Sequence, residues 1–329
     1  MDFNSIVGHK EIIAGLENSI KANRVGHAYI FSGPKGIGKR SVARAFSGLL
    51  LCNKPGGSKT CGECSPCLML ADNSNPDFYV VEQEGASIGV EEIRKLQSDI
   101  IVKPLYSQRK VYLIADSDKM TVQAQNCLLK TLEEPPRYAV IILTTSNYNA
   151  LMETIRSRSI RYNFRKNTYD EVRGFLKGKF DSNLGDNDFI ISYSDGVIGT
   201  AMELVNSDEF VALREDAVQV ILKVMNSKLS DIFNIYDFFE TNKTSIDTIL
   251  DIMLLFYRDL LVVKRVREEN VLINSDKKDI ILRNAANFTA QKLMKNIEII
   301  EMTRKNIKQN ANYQLSIEVM LMKLQEENG

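Results

Sequence analysis

The sequence predicts an α/β domain, a parallel sheet with helices on both faces, followed by a small helical domain and an all-helical C-terminal domain. Three observations carry this. AYIFSG (28–33), a glycine-rich turn and RSVARAFSGLLLC stand in strand–loop–helix order. Short apolar strands then alternate with helical stretches to about residue 164, the pattern of parallel strands between two helix layers. After about residue 165 no strand pattern recurs.

The elements follow in chain order. Ile6, Ile12, Ile13, Leu16 and Ile20 have helical spacing and predict a helix within residues 4–23. Further strands are expected at DFYVVE (77–82), KVYLIAD (110–116), AVIILTTS (139–146) and SIRYNF (159–164). VEEIRKLQSDI and TVQAQNCLLKTLEE read as helices between them. The second must stop at Pro135-Pro136, because proline has no N–H to continue the ladder. The expected domains are 1–165, 166–206 and 207–329, with Gly174, Gly178, Gly185, Gly196 and Gly199 punctuating the middle one. In the last helix Leu315, Val319 and Met322 form one apolar stripe, and Ile317, Leu321 and Leu324 a second. Two stripes leave little solvent face: an ordinary bundle core explains them, or one stripe packs against another subunit.

Composition excludes several classes. The 42 Lys and Arg balance the 42 Asp and Glu, so no global basic field holds nucleic acid unaided. The start, MDFNSIVGHKEII, is charged from its second residue and lacks the apolar core of a secretory signal. IMLLFY (252–257) is far too short to span a bilayer. A cytoplasmic protein is expected.

Four of the five cysteines form C-x8-C-x2-C-x2-C: Cys52, Cys61, Cys64 and Cys67. Two residues between cysteines let both thiolates reach one ion from a tight turn, and Gly56-Gly57, Gly62 and Pro66 let the chain wrap it. Four thiolates make a closed structural site, for which zinc is favoured. An iron–sulfur cluster also takes four cysteines, and disulfides are disfavoured in a cytosolic chain. Cys127, alone inside QNCLLKTL, reads as a small core residue.

GPKGIGKRS (33–41) nearly satisfies the phosphate-loop pattern G-x-x-x-x-G-K-[ST]. Gly33, Gly36, Gly38 and Lys39 are in place, but Arg40 stands where a hydroxyl should ligate Mg²⁺. Ser41 is no substitute, since one residue turns the side chain about 100° around a helix. The matching acidic strand should end in Asp-Glu, and VYLI is followed by Ala115-Asp116. Two ligands of one metal ion are therefore missing. His9 and His27 are expected to pack or hydrogen-bond near the loop, and Glu133 and Glu134 to be structural.

The order GPKGIGKR, the four-cysteine insert, KVYLIADSDKM, NCLLKTLEEPP and TIRSRS resembles the bacterial DNA polymerase III clamp-loader family, an AAA+ family. The motifs cover residues 1–165, and NANYQLSIEVMLMKL looks like the last helix of the family's collar. The resemblance implies an assembly that places a sliding clamp on primed DNA, with motor (tau/gamma) and delta subunits as partners. It also implies two branches. The motor keeps the hydroxyl, the Asp-Glu pair and a phosphate-sensing arginine where this chain has Gly199. The three losses, and a chain ending at 329, point to the delta-prime branch, without intrinsic ATP hydrolysis and with nucleotide binding doubtful. In the family's Ser-Arg-Cys motif, here Ser157-Arg158-Ser159, the arginine completes a neighbour's ATP site. By resemblance that places an arginine finger at Arg158, while Arg156, Arg161 and Arg165 are a solvated edge or face DNA phosphates. The alternatives are a divergent, active tau/gamma-like ATPase and a stand-alone zinc-dependent nucleic-acid binder.

Overall fold

In the computed structural model, strands β1 (Ala28–Ser32), β2 (Phe78–Val81), β3 (Lys110–Ile114), β4 (Ala139–Thr145) and β5 (Ile160–Asn163) form one sheet in the order β2-β3-β4-β1-β5. Every pairing is parallel. The structure describes residues 2–57, 59–83, 85–180, 188–226, 232–266 and 272–326. They cluster into two compact units: Met1–Gly178 with Asp195–Thr200, and Lys179–Ser194 with Ala201–Gly329.

In the first unit, alternation along each strand builds two cores. Tyr29, Phe31, Leu113 and Ile142 face one layer, with Leu16 of α1 (Lys10–Lys21) and Val42 and Phe46 of α2 (Lys39–Leu51). Ile30, Tyr112, Ile114, Ile141 and Leu143 face the other. There they meet Leu96 of α4 (Val90–Ile100), Leu128 and Leu132 of α5 (Val122–Glu133) and Ile155 of α6 (Glu153–Ser157). Between α2 and β2 lies the short α3 (Ser65–Ala71). Strands buried on both faces explain the continuous apolar runs in the sequence.

The first helix is shorter than its apolar spacing predicts. It starts at Lys10 because Gly8 (φ 73°) and His9 (φ 53°) adopt left-handed backbone, which separates Ile6 from the helix although Ile6 still packs on the core. Thr121 caps α5 by accepting from the Ala124 N–H, and the helix stops before the two prolines as expected.

Helices α7 (Tyr169–Lys179), α8 (Asp188–Tyr193) and α9 (Ile198–Val205) follow. Gly174 and Gly178 lie inside α7, so they do not punctuate the chain as expected; Gly196 (φ 78°) does, and Gly185 lies outside the described residues. The rest is helical: α10 (Asp208–Asn226), α11 (Ile232–Thr241), α12 (Ile246–Val266), α13 (Lys278–Ala285), α14 (Ala290–Lys308) and α15 (Tyr313–Gln325). IMLLFY lies in α12, where Ile252, Met253, Phe256 and Tyr257 are buried. Among the described residues no helix is long and apolar enough to cross a membrane.

The two stripes of α15 have different fates. Ile317, Leu321 and Leu324 are core, whereas Leu315, Val319 and Met322 are 60%, 37% and 40% exposed. A buried polar network also orders this unit. Asp259 accepts from the backbone of Ile273 and Asn274, and Arg214 makes a two-pronged bond to Asp276 while donating to Asn274.

Candidate nucleotide loop, metal cluster and exposed arginine

The loop from Gly33 to Gly38 leaves the C-terminal end of β1, at the sheet edge where parallel α/β proteins bind ligands. Gly33, Gly36 and Gly38 have φ of 156°, 77° and 106°; the last two are turns that side chains resist. Lys39 opens α2 and is buried, and its Nζ donates to the carbonyls of Gly33 (2.6 Å) and Pro34 (2.7 Å). Burial pushes this ammonium below its ordinary value, opposed by Asp116 and Asp118. The four sequence-predicted loop residues are thus together in one turn.

Neither position of the expected metal pair carries a ligand. Arg40 reaches Glu82, just beyond β2, and forms an ion pair. Ala115 is buried, its N–H bonded to the Val81 carbonyl. Asp116 has left-handed backbone and donates its N–H to Thr144 Oγ1 (3.1 Å). The chain instead uses Asp118 as an organiser. Its carboxylate accepts from Thr145 Oγ1 (2.9 Å), the Ser146 N–H (3.0 Å) and Ser146 Oγ (3.1 Å). Burial alone would raise its pKa, but these bonds together hold the carboxyl below its usual range.

Gly199 explains its own identity. Its N–H donates to the Gly36 carbonyl (2.9 Å), and a Cβ there would stand 2.7 Å from that oxygen and 2.9 Å from Gly36 Cα. No side chain, arginine included, fits at 199 while this contact persists. Nearby, His9 Nε2 lies 3.0 Å from the Ile37 carbonyl and its ring packs on Phe164, as expected. His27 does not behave as expected: it is exposed at the start of β1, at the opposite end of the strand from the loop.

The four cysteines converge. Cys52 ends α2, Cys64 caps α3 and Cys67 lies in its first turn, and all four sulfurs lie within 4.8 Å of one another. Cys61 and Cys67 sulfurs are 3.9 Å apart. A tetrahedron with metal–sulfur bonds of about 2.3 Å has edges of about 3.8 Å, so the donor set fits one metal ion. The Cys61 N–H points at Cys52 sulfur (3.4 Å) and the Cys64 N–H at Cys61 sulfur (3.3 Å). Backbone N–H groups of Glu63 and Cys64 push the Cys61 thiol down to about 6, while burial pushes Cys67 up to about 12. Cys127 stands apart. It packs, half-buried, on the second core as expected, and its thiol also donates to Gln97 Oε1 (3.1 Å), a polar partner the apolar pattern hid.

Arg158 caps the C-terminus of α6 and is 37% exposed. Its Nη1 donates to the Thr154 carbonyl (3.1 Å) and its Nη2 meets Glu133 Oε1 at 3.0 Å. Arg156 and Arg161 do something else. Their guanidiniums lie 5.1 Å and 3.7 Å from the Tyr148 ring centroid. Sequence reasoning missed Glu82, Asp118, Tyr148 and the partner of Glu133, because no local pattern marks them.

Residues 8–168 match the family model described as DNA polymerase III, delta subunit, and residues 208–326 match DNA polymerase III, delta subunit, C terminal. The chain is 31% identical over 323 residues to DNA polymerase III subunit delta' of Bacillus subtilis, with 94% of each chain covered. It is 28% identical over 347 residues to subunit tau of the same organism, covering 98% of this chain and 61% of that one. A solved gamma-subunit-related protein from Thermotoga maritima aligns over 95% of this chain and 98% of its own at 20% identity and a TM-score of 0.43. Two family models that together span most of the chain, and a relative matched over nearly its whole length, show that the chain belongs to the DNA polymerase III clamp-loader family, in its delta-prime branch.

Proposed function

We propose that this protein is a non-hydrolysing, stator-like subunit of the replicative clamp loader, and that Arg158 serves as an arginine finger for the ATP site of a neighbouring motor subunit. The observation that carries the first half is Arg40. It puts a cation paired with Glu82 where a catalytic loop needs a hydroxyl for Mg²⁺, and Ala115 removes the second ligand of the same ion. Gly33, Gly36, Gly38 and Lys39 then form a vestigial phosphate loop. The partners are the motor (tau/gamma) and delta subunits, the sliding clamp, and primed DNA through the complex, in the cytoplasm. The three-part division 1–165, 166–206 and 207–329 is part of this reading, with the last part as collar. Zinc is the metal proposed for Cys52, Cys61, Cys64 and Cys67, where it would close the insert as a structural ion.

The test is turnover by the isolated chain. No Mg²⁺-dependent ATP hydrolysis is expected, and Arg40→Thr or Ala115→Asp alone should restore none, because the two ligands serve one ion. Robust hydrolysis by the wild-type chain would instead establish the divergent ATPase, the reading that the retained Lys39 favours.

The collar assignment has its own support in the exposed stripe of α15. Burying a leucine- or valine-sized side chain contributes about 1.5–3 kcal/mol. Leu315→Asp with Val319→Asp is therefore expected to weaken entry into the complex by at least about 10- to 100-fold, with the melting temperature of the free chain little changed. Size-exclusion chromatography with the partner subunits reads this, and undiminished incorporation would remove α15 from the interface.

A further inference from the structure

Glu133 ends α5, yet its carboxylate meets Arg158 across 25 positions of chain. Both groups are partly exposed, at 51% and 37%. The guanidinium is held at two points, by Glu133 on Nη2 and by the Thr154 carbonyl on Nη1. An arginine presents five N–H donors in a planar fork, so two anchors leave three free for an incoming anion. The two anchors differ in kind. Thr154 lies on the same short helix and moves with the arginine, whereas Glu133 belongs to α5, whose buried Leu128 and Leu132 tie it to the sheet.

We infer that Glu133 is a positioning residue for Arg158: it fixes the direction of the guanidinium relative to the sheet before a partner's phosphate arrives. This rests on the finger reading of Arg158. A free arginine side chain samples many rotamers, and each must be given up when the fork binds a phosphoryl group. The pair with Glu133 removes part of that freedom in advance, and the two anchors still leave the second N–H of each distal nitrogen for an anion. The carboxylate would also compete with the phosphate for the same cation. Positioning is favoured over competition because Glu133 meets the guanidinium in an ion pair at Nη2 and not in a two-pronged bond of the kind Arg214 makes to Asp276. Because the pair is partly exposed, its leverage is modest, and it changes populations by no more than about fivefold.

The experiment uses assembled loader, with clamp and primed DNA present, and compares wild type, Glu133→Ala, Glu133→Gln, Arg158→Ala and the double variant Glu133→Ala/Arg158→Ala at matched stoichiometry. Glu133→Ala is expected to lower ATP turnover at saturating ATP roughly three- to fivefold with KM little changed. Glu133→Gln, which keeps an acceptor oxygen at the same place, should recover part of the loss. In the Arg158→Ala background, Glu133→Ala should do nothing further. Three results overturn the inference while leaving the finger in place: wild-type turnover for Glu133→Ala, faster turnover than wild type, or an equal loss with and without Arg158. If Arg158→Ala itself leaves turnover unchanged, the finger reading fails first, and the inference falls with it.

Discussion

Arg158→Ala is expected to slow ATP hydrolysis in a different polypeptide. Removing a finger of this type costs about 10³- to 10⁵-fold at the site it serves, because it stabilises charge that develops on the transferring phosphoryl group. A loader contains other sites, so its total clamp-stimulated turnover should fall by the share of the affected one, and clamps should be loaded less often. Folding should be nearly untouched. The side chain is partly exposed, and the pair it makes with Glu133 contributes about 0–1 kcal/mol. Assembly should also survive, since it is assigned to the helical C-terminal part. Clamp-stimulated turnover in complexes of confirmed stoichiometry is the measurement. Equal rates for wild type and variant would reduce Arg158 to a surface charge and leave only the scaffold role.

The second large effect is expected in the cysteine insert. Protein purified without chelator should carry about one zinc per chain, and Cys64→Ser should lose it. Apparent zinc binding in small peptides is worth about 10–16 kcal/mol at neutral pH, so a module built around the ion has little else to hold it. Within the insert the described structure is one isolated bridge, Gly56 with Lys59, and the seven-residue α3. The sheet should nevertheless stay folded. Its two cores are built from strands and from α1, α2, α4, α5 and α6, and the insert adds to them only at its margin, where Leu70 of α3 packs partly buried on the first core. Zinc retention should fall as pH is lowered, because the ligands bind as thiolates and protons then compete with the metal. Hydrogen exchange over residues 52–75, read beside elemental analysis, separates local loosening from global unfolding. Wild-type protein without zinc would refute the assignment.

Much of the nucleotide-like loop is legible in the amino-acid sequence alone. Gly33, Gly36, Gly38 and Lys39 act within one turn, so their spacing carries their geometry. The cysteines are similar: close spacing and flexible glycines bring three sulfurs together, and only Cys52 comes from a flanking helix. The departures Arg40 and Ala115 are visible as well, because a missing ligand is a property of one residue. The consequence of Arg40 is not. Its pairing with Glu82 joins two elements separated by an insert, and no periodicity connects them.

The same division runs through the rest of the molecule. The amino-acid sequence by itself determined the five strands, the helical second half and the candidate site residues, since alternation, helical spacing, proline and glycine act over a few residues. It left α15 with two equivalent stripes and Cys127 as a core residue. Tertiary packing decided that Ile317, Leu321 and Leu324 are the inner stripe, and that the Cys127 thiol has a polar partner in Gln97. It also decided that Gly199 lies against Gly36, too close for any side chain, and that Arg158 is held by Glu133. Each of these is a contact between segments distant in the chain. Its free energy depends on which surfaces the fold brings together, and local residue patterns carry no record of that.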